Sequence, residues 1–91
     1  MNLKHEAYII NNSAYLYIID FDDKYDYTFY TDNYLVMDTG FINKEELDFE
    51  GAKNEILKKH YLNPGNVIHL TDSDRAILLD NVDDYNQVNI L

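Results

Sequence analysis

Residues 25–31, Tyr-Asp-Tyr-Thr-Phe-Tyr-Thr, alternate without a break. A period of two is the signature of a strand that shows different faces to different surroundings. Tyr25, Tyr27 and Phe29 must point one way, and Asp26, Thr28, Tyr30 and Asp32 the other. A helix would mix these two sets, so the stretch constrains the chain to a sheet with one aromatic face.

The neighbouring segments extend that sheet. Residues 6–10 (EAYII) and 14–21 (AYLYIIDF) are rich in Tyr and Ile, and Asn-Asn-Ser between them favours a turn. Asp22-Asp23-Lys24 and Asp32-Asn33 make the next turns, and residues 34–38 (YLVMD) read as a fourth strand closed by Thr39-Gly40. Residues 66–70 (NVIHL) make a further short strand, and residues 87–91 (QVNIL) offer a last one.

Between them the period changes. Phe49, Ala52, Ile56, Leu57 and Tyr61 form an apolar helical stripe. Asp48 is the expected N-cap, with Asn43 and Glu46 as an alternative capping pair, and Asn63-Pro64-Gly65 the expected stop. Acids crowd the first turns and Lys58, Lys59 and His60 the last, as the helix dipole favours. Thr71 and Asp74 resemble a capping box before Leu78, Leu79, Val82 and Tyr85, which predicts a second, shorter helix over a hairpin. The fold class is α+β: a small antiparallel β-meander of four to six strands packed against one amphipathic helix, with a second short helix. At 91 residues it is a single domain, residues 1–91.

Charge is the second constraint. Net charge is −10, and residues 20–50 hold ten acids against Lys24 and Lys44. Such a surface disfavours direct contact with nucleic acid or an anionic membrane and favours a basic partner. Nine Tyr and four Phe separate the chain from disordered acidic tails. The absence of Cys fits a reducing compartment, and neither a secretory leader nor a membrane span is legible, so the expectation is a cytoplasmic protein. Lys outnumbers Arg six to one, and with abundant Asn and Ile this suggests an AT-rich genome, such as that of a low-GC bacterium or its phage.

Catalytic and metal chemistry find little support. An EF-hand loop from Asp20 would put Lys24 at its fifth position and Tyr25 where Gly is needed; one from Asp72 fails in the same way. The strand that delivers Asp20 and Asp22 resembles haloacid dehalogenase-like phosphatases in outline only. Lys24 replaces their Thr or Val, and the chain is too short for their parallel sheet. Ser13 and Ser73 lie in turns, and His5, His60 and His69 fall in three different elements. Gly40, Gly51 and Gly65 stand alone, so no phosphate-cradling loop is present. No enzyme, cofactor or metal site is expected.

What remains is a binding surface. Alternate residues on a strand lie about 6.8 Å apart and neighbouring strands about 4.8 Å. Two acidic rows with acidic turns therefore approach the phosphate density of a nucleic acid. The residues expected to meet a partner are Asp20, Asp22, Asp23, Asp26, Tyr30, Asp32 and Tyr34, with Glu45, Glu46 and Glu50 secondary. Tyrosines beside carboxylates add contact area at low entropic cost. The reading is a non-enzymatic inhibitor of a basic nucleic-acid-binding protein, working by partial DNA or RNA mimicry. The chain resembles anti-CRISPR proteins, anti-restriction proteins and other DNA mimics in size, charge and missing chemistry alone. Two alternatives stand beside it: an antitoxin or immunity-type partner of a basic toxin, and an accessory mobile-element domain without inhibitory activity. Small size and a Tyr-rich sheet are also compatible with a homodimer.

Overall fold

The computed structural model describes residues 4–44, 47–61 and 65–89, with side chains described as far as residue 84. The strands are β1 (Lys4–Ile10), β2 (Ala14–Asp20), β3 (Lys24–Thr31), β4 (Val36–Asn43) and β5 (Val67–His69); the helices are α1 (Phe49–His60) and α2 (Asp72–Asn89). The five strands form one antiparallel sheet in the order β4-β3-β2-β1-β5. The first four are the expected meander. β5 arrives after α1 and pairs with β1 at the far edge.

The turns use residues suited to them. Asn11 and Asn12 both adopt positive φ (52° and 54°) between β1 and β2, a conformation Asn tolerates better than most side chains. The Asn11 side chain then accepts a hydrogen bond from the Asn66 backbone, tying the start of β5 to the first hairpin.

The aromatic face of β3 does what the alternation predicts. Tyr25, Tyr27 and Phe29 are buried with Tyr8, Ile10, Leu16 and Ile18 under Ala52, Ile56 and Leu57 of α1. Asp48 caps α1, its side chain accepting from the Gly51 backbone at 2.8 Å. The alternative start at Asn43 is not used: that residue ends β4. Asn63 and Pro64 of the expected stop lie outside the described residues. The helix closes at His60, where the Tyr61 N–H bonds back to Leu57.

Three expectations need correction. First, β4 does not end at Thr39-Gly40 but continues to Asn43. Gly40 pairs with Tyr27, and a Cβ at Gly40 would lie 2.6 Å from Tyr27 Oη. The glycine makes room for a ring that crosses it and does not break the strand. Second, the second helix is longer than expected, at 18 residues. Its start is the foreseen one, with the Thr71 hydroxyl accepting from the Asp74 N–H at 3.1 Å. Third, residues 87–89 continue this helix and form no closing strand, since nothing between Asp80 and Asn89 is Gly or Pro. Residues 90 and 91 of that expected strand lie outside the described residues.

The longer helix changes the architecture. α2 packs Leu78 and Val82 onto Ala7 and Tyr30, flanked by Tyr15, Tyr17, Tyr34 and Leu70. The sheet is thus covered on both faces, by α1 on one and by α2 on the β1–β2 side of the other.

Candidate interaction surface

The sequence-predicted residues separate in three dimensions. Asp20, at the end of β2, is ion-paired with Lys44, whose ammonium also lies 5.0 Å from the Tyr25 ring centre. The hydrogen bond to Asp20 pushes the Lys44 pKa up. Asp26 sits 3.9 Å from Lys24, and Glu50 pairs with Lys53. Asp22 and Asp23 are exposed in the β2–β3 turn, while Asp32 is in the β3–β4 turn at the other end of β3. An eight-residue strand separates those turns by about 25 Å. Glu45 and Glu46 lie outside the described residues.

The two tyrosines are occupied. Tyr30 is 8% exposed beneath α2, so its ring belongs to the second core and not to an outward acidic face. Alternation assigns it to the face away from α1, but that face is covered there. Burial pushes its phenol pKa up, Thr28 pulls it back, and Asp83 adds to the rise. Tyr34 adopts φ +67°, stacks on Tyr15 at 6.0 Å and accepts a 3.1 Å hydrogen bond from Asn81 of α2.

A different row of carboxylates is assembled by α2. Leu78 and Val82 face the sheet, and the 3.6-residue period puts Asp80, Asp83 and Asp84 on the outer side and Asp72 on the flank, where all four are exposed. Asp72 through Asp84 span about 18 Å of helix at 1.5 Å per residue. One strand of B-DNA places about five phosphates over that length. Asp80, Asp83 and Asp84 fall within about 6 Å of rise, close to single-strand phosphate density, while Asp72 stands about 12 Å further along the helix.

The only cation on α2 engages one member of this row, Asp72, and leaves Asp80, Asp83 and Asp84 without a described ionic partner. Arg75 turns inward, donating to the His5 carbonyl and to Asp72, each at 3.0 Å, and lies 3.9 Å from Glu6. His69 also contacts Glu6 and stacks on Tyr8 at 5.0 Å. The lysines of the helices, Lys53, Lys58 and Lys59, are all on α1, on the opposite side of the sheet. The molecule is electrically polar across its sheet. Residues 20–50 drew attention through their density of acids; the α2 row was legible only from the period of Asp80, Asp83 and Asp84.

The histidines do not converge. His5 is 2.6 Å from Tyr17 Oη, His60 lies between Tyr27 and Asp38, and His69 meets Glu6. Among the described residues no group of three His, Cys, Asp or Glu is placed to hold a metal ion. Among the same residues no helix is long and apolar enough to cross a membrane.

Residues 3–82 match the model of a family described as Large polyvalent protein-associated domain 16. No curated protein and no solved structure matches the chain.

Proposed function

This chain belongs to the large polyvalent protein-associated domain 16 family, an accessory domain of phages and mobile elements, and on that premise we propose that it is a non-enzymatic acidic docking domain for a basic partner. The partner is a nucleic-acid-binding protein, and the domain inhibits it by occupying part of its nucleic-acid site. The observation that carries this reading is the exposed carboxylates Asp80, Asp83 and Asp84 on one helix, with Arg75 engaging only Asp72 at its start. A rigid helix holds Asp80, Asp83 and Asp84 at near-phosphate density before the partner arrives, so little ordering entropy is lost on binding. Counterion release and steering make such an association fast and sensitive to salt. Asp32 and the Asp22-Asp23 turn enlarge the field around this row and supply no second row of their own. The same field disfavours direct contact with nucleic acid or an anionic membrane.

The test is competition. The tagged domain is used to capture its basic partner, and the partner's binding to labelled nucleic acid is measured by anisotropy with and without the domain. Displacement that weakens steeply as salt rises is expected. A captured partner whose nucleic-acid binding is untouched, or capture of no basic protein, overturns the reading.

A further inference from the structure

The sheet ends in two unlike edges. β5 is three residues long, whereas β4 runs for eight, from Val36 to Asn43, with no described strand beyond it. On an edge strand every second residue turns its backbone N–H and C=O away from the sheet. Thr39 shows this state: its N–H donates to the Asp38 side chain at 2.9 Å instead of to β3. By alternation Phe41 and Asn43 face the same way.

Proteins normally blunt such an edge with Pro, Lys, a short strand or a covering element. β4 contains neither Pro nor Lys. Instead Leu35, Val36, Met37 and Phe41 are 46–58% exposed, four of the six exposed large hydrophobic side chains among the described residues. The only irregularity in its pairing with β3 is the shift between Phe29 and Tyr30, opposite the start of β4. From Asp38 to Asn43 the register with β3 is continuous, and among the described residues no strand pairs with the other side of β4.

We propose that this edge is a β-augmentation site for an extended basic segment of a partner protein, which adds as a sixth strand beside β4. Backbone groups of Thr39, Phe41 and Asn43 supply the hydrogen bonds, and the exposed apolar side chains supply the contact area. Charge selects the occupant. Asp38 stands on the α1 side of the edge with its side chain 47% exposed, and on the other side Asp26, across from Phe41, is paired with Lys24. Lys24 is committed to Asp26 and to the Phe41 ring, 5.3 Å away. A second copy of this chain would bring another net charge of −10 and a second Asp38 to the same edge. A segment alternating basic and apolar residues meets both features. The site is separate from the α2 row, so either surface can fail without the other.

The probe is a synthetic peptide of alternating Lys and Val as long as β4, with a Glu-Val peptide as its counterpart. Amide exchange is followed by NMR on the intact chain. The Lys-Val peptide is expected to slow exchange at Thr39, Phe41 and Asn43 by about tenfold or more while sparing β5, and the Glu-Val peptide to leave exchange unchanged. Thr39→Pro, which removes one outward N–H, weakens binding by about tenfold. Phe41→Lys, which leaves the backbone intact, gives a similar loss and serves if the proline variant does not fold. Three results overturn the proposal: binding without slowed exchange on β4, equal binding of the Glu-Val peptide, or protection of the same amides without peptide in a species sedimenting as a dimer. The last assigns the edge to a second copy.

Discussion

The two helices cover opposite faces of one sheet by different means. α1 rests on a broad aromatic bed of Tyr25, Tyr27 and Phe29, and its lysines offset part of the acid around it. α2 rests on a smaller cluster, Ala7 and Tyr30 against Leu78 and Val82, and spends its outer face on carboxylates. Like charges on one helical face repel and lower its stability. The α1 face therefore holds the fold, and the α2 face trades stability for a charged surface.

The largest effect that could break this contrast is in the core. Ile56→Ala, at a fully buried position of α1, should cost about 4 kcal/mol, and Leu78→Ala, on the sheet-facing side of α2, about 2 kcal/mol, both read from urea unfolding. A larger loss at Leu78 would reverse the roles assigned to the two helices. Next comes Gly40→Ala, which drives a Cβ into Tyr27 and should cost about 2 kcal/mol. In a Tyr27→Ala background the same change should cost much less, because the ring it meets is gone.

The tyrosines test both faces at high pH. Burial, then Glu6 and Glu50, pushes Tyr8 on the α1 side up to about 12; burial also raises Tyr15, Tyr17 and Tyr30 on the α2 side. A phenol whose folded pKa is raised favours the folded state fully below its unfolded value near 10. That contribution is lost as pH rises through the folded value. The contribution of these four phenols to stability should thus fall as pH rises above about 10, through about 12 for Tyr8. A Tyr8→Phe variant reads that residue by difference, and a tyrosinate signal near pH 10 in the folded chain that this variant loses would contradict the burial described.

Smaller effects separate cap from surface. Thr71→Ala should cost about 1 kcal/mol through loss of the α2 cap. Asp80→Asn should change stability by less than about 0.5 kcal/mol, or raise it slightly, because the residue faces solvent beside other acids. A large loss at Asp80 would make that carboxylate structural.

Much of the fold was legible because period and burial agree. The β3 alternation sorted Tyr25, Tyr27 and Phe29 onto the α1 face, and the stripe from Phe49 to Tyr61 marked the helix that covers them. Alternation distinguishes two faces but does not say whether the second is covered, and Tyr30 went astray for that reason. Gly40 read as a strand end because a sequence does not display the ring lying across it. The interaction surface was less legible. Ten acids crowd residues 20–50, but strand geometry sends Asp22-Asp23 and Asp32 to opposite ends, and Lys24 and Lys44 pair with Asp26 and Asp20. Local density along the chain is a poor guide to density in space, whereas the helical period of α2 gathers fewer acids onto one face. Of the functional readings drawn from the sequence, the accessory mobile-element domain is the one the family match supports.

If a basic partner meets the α2 row and not the acidic turns of the sheet, the salt dependence of its binding separates two variants. One carries Asp72, Asp80, Asp83 and Asp84 changed to Asn; the other carries Asp22 and Asp23 changed to Asn. The first variant is expected to lose most of the slope of log affinity against log salt while keeping its unfolding midpoint, and the second to keep most of both. Equal slopes for wild type and the α2 variant would contradict the assignment to α2.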